Sequence, residues 1–179
     1  EEQGPELEQQ VIQTEGVDPM SIKPTIAAIN VNFDLGAGRR GASHGPKAIW
    51  EAGLLHELQQ LDYSVVQVAD LQLVNDKATP LDTQVDSHNL NYFAEVIDIN
   101  TQLADQVSHV VSQGHFPLII GGDHSIAIGT IAGLANHYSK LGVIWIDAHS
   151  DLNTPDTSPS GNIHGMSLAI SMGIGHPLL

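Results

Sequence analysis

The sequence of 179 residues contains no cysteine, few basic residues and few aromatic ones. Without cysteine there can be no disulfide, no thiolate nucleophile and no zinc site built on sulfur. Lysine and arginine together number 6 against 21 aspartates and glutamates, so the formal net charge is −15. Because binding to phosphate-rich partners depends on clustered basic residues, nucleic acid and anionic membrane surfaces are poor partners for this chain. A cationic small molecule would not be repelled.

Long apolar runs are also missing. None approaches the roughly 18 residues of a membrane-spanning helix, and no basic start followed by an apolar stretch indicates a signal peptide. Hydrophobic residues make up 41% of the chain and charged residues only 15%, which is typical of a folded core. We therefore expect a soluble, cytoplasmic protein. Residues 1–19 are acidic and rich in glutamine, and we expect an acidic leader there: a tag remnant or a disordered arm, with a folded helix as the alternative.

From residue 25 onward, apolar runs alternate with helical patterns. The predicted strands cover 25–31, 64–71, 117–123 and 141–147, and the predicted helices cover 46–60, 88–113, 125–138 and 165–173. Residues 72–87 are predicted to be a polar loop, and Ser125 to cap its helix. Strands that are apolar throughout and alternate with helices predict an α/β fold, an open doubly wound parallel sheet with helices on both faces. In such sheets, functional groups gather at the carboxyl ends of the strands.

The clearest chemical signal is the segment WIDAHSDLN, in which Asp147, His149 and Asp151 stand at every second position directly after an apolar run. In an extended chain, alternate residues face the same side. Gathering two carboxylates and an imidazole there is costly unless a cation lies among them. Carboxylate and imidazole ligands without sulfur favour manganese, iron or zinc, and the carboxylates favour manganese. The alternative is an ordinary polar loop whose acidic side chains face solvent.

The segment GGDHS ends a different predicted strand. If that strand lies beside the WID strand, His124 becomes a candidate fourth ligand of the same metal site. Asp123 is then expected to brace backbone N–H groups or the ligand histidine. A single histidine at a strand end is more often structural, so this prediction depends on the aspartates nearby.

The segment SGNIHG places Ser160, Asn162 and His164 on a tight loop shortly after the acidic cluster. Hydroxyl, amide and imidazole groups suit the recognition of a carboxylate or ammonium group and the transfer of a proton. Such residues also fill ordinary turns, so the segment alone is a weak signal.

A glycine-rich stretch, LGAGRRGASHG, follows the first predicted strand and contains the pattern G-x-G-x-x-G. This pattern can bind a dinucleotide when an acidic residue follows about 20 positions later at a strand end. Only Asp62 or Asp70 could serve here. Dinucleotide binding therefore remains a minor alternative.

Taken in order, FDLGAGRRGASHGPKAI, GGDHS, WIDAHSDLNTP and SGNIHG resemble the ureohydrolase family, and the arginases within it. The resemblance runs from about Met20 to the end of the chain. DLNTP followed by SGNIHG resembles arginase more than agmatinase. The resemblance implies hydrolysis of L-arginine to L-ornithine and urea by a hydroxide that bridges two manganese ions.

The resemblance also implies roles for individual residues. The metal ligands would be His124, Asp147, His149 and Asp151, with Asp147 as the bridge between the two ions, and Asp151 would count with His164 among the catalytic residues. His164 would be the proton shuttle. The α-carboxylate end of the amino acid would be held by Asn153, Ser160 and Asn162, with Ser158 assisting through water. Arg39 and Gly45–Pro46 match the family's early loop, where we expect a structural role.

One departure from the family pattern bears on activity. The family completes its metal site with a further Asp-x-Asp pair, and no such pair occurs here. We therefore expect residues 20–179 to be the amino-terminal part of a single arginase-like domain, truncated and weakly active or inactive alone, from a parent protein that forms trimers or hexamers. One alternative is another ureohydrolase, an agmatinase, guanidinobutyrase or formimidoylglutamase. The other is a non-catalytic metal-binding or interaction module.

Overall fold

A three-stranded parallel sheet lies at the centre of the fold. In the computed structural model, which describes residues 23–73 and 90–179, strand β1 (Ile26–Val31) lies between β2 (Val65–Leu71) and β3 (Phe116–Gly121). Both partners run parallel to β1, and the pairing with β2 shifts register between Ala28 and Ile29. Every residue of β1 is buried. Both faces of this central strand are therefore covered, as an apolar parallel strand requires. The predicted leader and most of the predicted loop 72–87 lie outside the described residues.

The helices confirm the predicted open α/β architecture. They are α1 (Gly45–Glu51), α2 (Leu54–Gln60), α3 (Phe93–Ser112), α4 (Ala127–Ala135) and α5 (Ser167–Ser171), and three 3₁₀ turns cover Ala42–His44, His124–Ile126 and Ile163–Met166. The crossovers from β1 to β2 and from β2 to β3 step in opposite directions across the sheet. Since such crossovers are right-handed, α1 and α2 cover one face and α3 covers the other. No helix among the described residues is both long enough and apolar enough to cross a membrane.

The core lies between α3 and the sheet. Helix α3 buries one stripe of residues three or four positions apart, namely Val96, Ile99, Leu103, Val107 and Val110. These side chains join the buried residues of β1 and of the segment that follows it in one cluster. Helix α4 packs closely on α3, because a Cβ at Gly129 would lie only 2.4 Å from the Asn100 carbonyl oxygen.

Several predicted elements differ from the structure at their ends. The helix predicted over 46–60 is divided into α1 and α2 by Gly53, whose φ of 102° is a left-handed conformation that interrupts a helix. The helix predicted from Ser125 opens instead with a 3₁₀ turn, and its cap is Asp123, whose carboxylate accepts the Ser125 N–H. The predicted helix 88–113 begins at Phe93, and the predicted helix 165–173 is the shorter α5.

The predicted strand over 141–147 is wrong for this structure. Its residues form no strand, and Ile144 and Ile146 are each 90% exposed. An apolar run becomes a strand only when a neighbour pairs its N–H and C=O groups. Among the described residues β3 pairs only with β1, so the segment has no such neighbour.

The loop after β1 is held together by the buried carboxylate of Asp34. Its Oδ2 accepts the Gly41 N–H at 2.6 Å and the Ser43 hydroxyl at 2.9 Å, and its Oδ1 lies 2.7 Å from Arg40 Nε. Burial by itself raises the pKa of Asp34, but these hydrogen bonds and the Arg40 charge outweigh it, so the pKa is held below the usual value. The loop leads into α1, where Pro46 is buried in the first turn. Arg39 is exposed.

The backbone at Gly122 lies close to the backbone at Phe33, so we predict that Gly122→Ala destabilises the fold. A Cβ at Gly122 would lie 1.9 Å from the Phe33 carbonyl oxygen, whereas nothing lies within 4 Å of a Cβ at Gly142. We expect Gly122→Ala to lower the free energy of unfolding by about 1–3 kcal/mol or more. Gly142→Ala is the matched control and should leave it nearly unchanged. Urea denaturation followed by circular dichroism measures both, and equal effects would contradict the packing argument.

The Asp34 network predicts a pH-dependent contribution to stability. Because the folded-state pKa lies below the ordinary value of 3.8, ionised Asp34 stabilises the fold above that value, and the contribution is lost as the pH falls through the folded-state pKa. Asp34→Asn should cost about 2 kcal/mol near neutral pH. The cost should shrink in acid, as the pH falls below 3.8 and through the folded-state pKa. The exposed Asp98→Asn is the charge-matched control in urea denaturation, and a cost for Asp34→Asn that does not change with pH would disprove the assignment.

Candidate metal centre

Three potential metal ligands meet beyond the carboxyl end of β3. His124 opens the 3₁₀ turn after this strand, and Asp147 and Asp151 lie in the loop that follows the apolar segment 141–146. One ligand atom from each lies within 4.8 Å of the others. The Nδ1 atom of His124 is 2.9 Å from Asp147 Oδ2 and 2.8 Å from Asp151 Oδ2.

The donor set fits a divalent cation. An imidazole nitrogen carries at most one proton, so His124 Nδ1 cannot donate to both carboxylates at once. Asp151 is only 6% exposed, and apart from the close approach to His124 Nδ1 its Oδ2 has no hydrogen-bond partner among the described residues. A buried, unpaired carboxylate oxygen is costly. A cation bound by all three groups would remove that cost.

Asp147 faces two imidazoles with its two different oxygens. Oδ2 lies towards His124, and Oδ1 lies 3.3 Å from His149 Nδ1. The His149 N–H donates to Oδ1 at 2.7 Å. This hydrogen bond, more than the two neighbouring imidazoles, holds the pKa of Asp147 below its usual range despite some desolvation. Each oxygen of the Asp147 carboxylate therefore lies beside a different imidazole.

The geometry of this loop differs from the expected extended chain. Residues 147–149 form bends, and Asp151 has a φ of 49°. Alternate residues therefore do not share one side, and the His149 side chain is 84% exposed while Asp151 is buried. His149 stands beside Asp147 but outside the three-residue cluster.

The ring of Trp145 stacks on the ring of His124, with centroids 4.4 Å apart and an angle of 21° between the planes. From the sequence, Trp145 was predicted only as part of the strand over 141–147. Its position two residues before Asp147 is the signal that could have placed it beside the cluster. Stacking restricts the orientation of the imidazole and therefore the direction in which it presents its nitrogen atoms.

Asp123 braces the backbone, as expected from its place beside His124. Its Oδ1 accepts the Ser125 N–H at 2.9 Å. Burial raises the pKa of Asp123, although the Ser125 hydrogen bonds and the nearby His164 partly offset this effect. Gly36 makes the close approach possible, because a Cβ there would lie 2.6 Å from Asp123 Oδ1.

The other predicted site residues lie on the loop between Asn153 and Gly165. The Ser158 hydroxyl accepts the Gly161 N–H at 3.0 Å, and the Ser160 hydroxyl accepts the Asn162 N–H at 3.3 Å. Both hydroxyls thus stabilise the turn itself. The side chain of Asn153 accepts a hydrogen bond from Thr157 at 3.2 Å.

Hydrogen bonds to the backbone hold this loop against the turns near the cluster of His124, Asp147 and Asp151. The Asn153 N–H donates to the Gly165 carbonyl at 3.2 Å, and the His164 N–H donates to the Gly36 carbonyl at 3.1 Å. The buried Ser167 hydroxyl lies 2.9 Å from the carbonyl of His124 and 3.0 Å from that of His164. The turns that carry these two histidines therefore share one hydroxyl anchor, which the sequence analysis did not identify.

The sequence profile of the Arginase family matches residues 24–176. The chain belongs to the arginase family. The arginase of Bacillus caldovelox is 52% identical over 158 residues, which are 88% of this chain and 52% of that protein. The arginase of Bacillus subtilis strain 168 is 50% identical over 155 residues, which are 87% of this chain and 50% of that protein.

Solved arginase structures have the same fold over the same region. The native structure of the Bacillus caldovelox arginase at pH 5.6 gives a TM-score of 0.81 at 51% identity and covers 88% of this chain and 52% of that chain. The structure of the Entamoeba histolytica arginase in complex with L-ornithine gives a TM-score of 0.74 at 34% identity. The match covers 87% of this chain and 52% of that chain. This chain thus spans about half the length of the arginases that it matches.

Stacking on His124 predicts that Trp145 fluorescence reports metal binding. In the Trp50→Phe variant Trp145 is the only tryptophan, and we expect added Mn²⁺ to quench its emission because a paramagnetic ion at His124 would lie within a few ångströms of the ring. In the Trp145→Phe control only Trp50 emits, and its indole instead donates to Asn30, so little change is expected. Asp151→Asn in the Trp50→Phe background should weaken the metal response at least tenfold, in line with the loss of one carboxylate ligand. Equal quenching of both tryptophans would contradict a metal site at His124.

Proposed function

We propose that the protein is an arginase, which hydrolyses the guanidino group of L-arginine to give L-ornithine and urea. The observation that carries the proposal is the convergence of Asp147 and Asp151 on His124 Nδ1 at 2.9 and 2.8 Å, in a chain that belongs to the arginase family. The L-ornithine in the Entamoeba histolytica structure supports an amino acid of this type as the ligand.

The proposed cofactor is a pair of manganese ions. His124, Asp147 and Asp151 would hold one ion, and His149 with the other oxygen of Asp147 would contribute to the second. Carboxylate and imidazole ligands without sulfur favour manganese among the divalent metals. When bound, two such ions lower the pKa of a shared water towards neutrality and so supply the nucleophile that a guanidinium carbon requires.

The acidic groups of this chain suit a cationic substrate. Asp147 and Asp151 carry negative charge into the site, and the chain as a whole has a formal charge of −15. Such a field attracts the guanidinium group and repels competing anions. At the other end of the substrate, Asn153, Ser160 and Asn162, with Ser158, are proposed to hold the α-carboxylate through neutral hydrogen-bond donors.

His164 is proposed to deliver the proton that the leaving amine needs. Its backbone N–H donates to the Gly36 carbonyl, and its own carbonyl lies 3.0 Å from the Ser167 hydroxyl, which it shares with the carbonyl of His124. Its imidazole is only partly buried, so the ring can reach both solvent and a bound substrate. Histidine is suited to this step because its ordinary pKa lies near neutral pH.

Urea and ornithine release tests the proposal. With Mn²⁺ and L-arginine we expect the parent protein that contains this chain to release both products in equal amounts, whereas residues 20–179 alone are expected to be weakly active or inactive. In the parent protein His164→Asn should reduce kcat by roughly a hundredfold to ten-thousandfold. His56→Asn, on the exposed face of α2, is the matched control and should leave the rate unchanged.

The same assay, together with metal analysis, distinguishes the two alternative functions. Urea from agmatine but not from L-arginine would identify a different ureohydrolase. Tight binding of manganese, measured by metal analysis of the purified protein, with no urea from any guanidino compound would identify a non-catalytic metal-binding module.

A further inference from the structure

Asn91, two residues before α3, binds the loop 160–162 through three hydrogen bonds. Its backbone N–H donates to the Gly161 carbonyl at 3.0 Å. Its side-chain Nδ2 donates to the Ser160 carbonyl at 2.9 Å and to Asn162 Oδ1 at 2.8 Å. No local sequence signal links these residues, which are about 70 positions apart. The whole contact depends on one side-chain amide.

The Ser160 carbonyl determines the orientation of both amides. A carbonyl oxygen only accepts hydrogen bonds, so the group of Asn91 that faces it must be the NH₂. The second hydrogen of that NH₂ then requires an acceptor, which Asn162 supplies with Oδ1. The Asn162 amide cannot turn over without placing two NH₂ groups against each other. Its NH₂ therefore points away from Asn91.

The NH₂ of Asn162 is left available as a donor. Within residues 23–73 and 90–179, no hydrogen-bond acceptor is found for its Nδ2. Gly38 lies beside this nitrogen, since a Cβ built there would lie 2.8 Å from Nδ2. The absence of a side chain at Gly38 leaves room around this nitrogen. Two N–H groups in that position recognise a carboxylate and not an ammonium group.

We propose that Asn91 is a positioning residue that sets the preference of the site for a substrate with a carboxylate. Asn91 does not touch the substrate. It holds the Asn162 amide in the orientation that offers donors to the carboxylate of an amino acid. This inference rests on the proposed function, because it assigns Asn162 to the carboxylate end of the bound molecule.

The test compares L-arginine with agmatine, which carries the same guanidinium group but has no carboxylate. The quantity measured is the ratio of kcat/KM for the two substrates. Asn91→Asp cannot donate to Ser160 or to Asn162, so the Asn162 amide is free to turn its oxygen towards the ligand. Asn91→Leu removes the same donors without adding charge. We expect both variants to lower the arginine-to-agmatine ratio roughly tenfold or more, mainly through a higher KM for arginine.

Matched controls separate orientation from charge and from folding. Asn136→Asp adds the same charge at an exposed position after α4 and should leave the ratio unchanged. A fall with Asn91→Asp but not with Asn91→Leu would reflect charge alone and would overturn the inference. Thermal melting shows whether each variant is folded, and Asn91→Ala replaces leucine if leucine prevents folding.

Failure of this inference is distinct from failure of the proposed function. If the unmodified protein releases urea and prefers arginine, and the neutral variants keep that preference, the inference is wrong while the function stands. If the unmodified parent protein releases urea from neither compound, the proposed function is wrong, and this inference is overturned with it.

Discussion

The unbalanced negative charge of Asp147 and Asp151 is the constraint on which the rest of the site depends. Two carboxylate oxygens lie within 3 Å of a single imidazole nitrogen, and one proton cannot satisfy both. Coulomb repulsion between such groups grows as water is excluded, and Asp151 is buried. The fold nevertheless brings them together. A protein tolerates such an arrangement when a bound cation removes the repulsion. The chemistry of these three side chains therefore indicates a cation site.

The fold meets this constraint by fixing backbone and leaving side chains free to bind. The carbonyl of Asp151 accepts the N–H groups of Leu168 and Ala169 in the first turn of α5, each at 3.1 Å. The backbone of His124 is held through its carbonyl by Ser167. Neither residue needs its side chain to keep its place. The carboxylate and the imidazole can therefore be directed at a ligand without loss of local structure, which is what a preorganised site requires.

The sequence was a good guide wherever structure depends on local pattern. β1 and β3 are largely apolar runs and β2 a mixed one rich in valine, and burial of both faces explains why β1 could be recognised. The segment 141–147 has the same composition, but pairing is a property of neighbours that composition does not contain. The approach of His124 to Asp147 and Asp151 could be anticipated from strand ends. The loop conformation could not, because the positive φ of Asp151 is unusual for a residue other than glycine.

The contact of Asn91 with the loop 160–162 could not be predicted from the sequence, because the residues are about 70 positions apart. It shows that a long-range contact can orient a side chain of a site. Local motifs specify which groups are present near a ligand, here two acids and an imidazole at one end and hydroxyl and amide groups on the loop 158–164. They do not specify which atom of an amide points inward. That choice is made by a carbonyl on the same loop and by a side chain about 70 residues earlier in the chain. Under the proposed function, an acidic end and a donor end would together match a molecule that is cationic at one terminus and anionic at the other, that is, an amino acid and not its decarboxylated analogue. The acidic end can be predicted from the types of residue alone. The donor end can be predicted only when the orientation of the amide groups is also known.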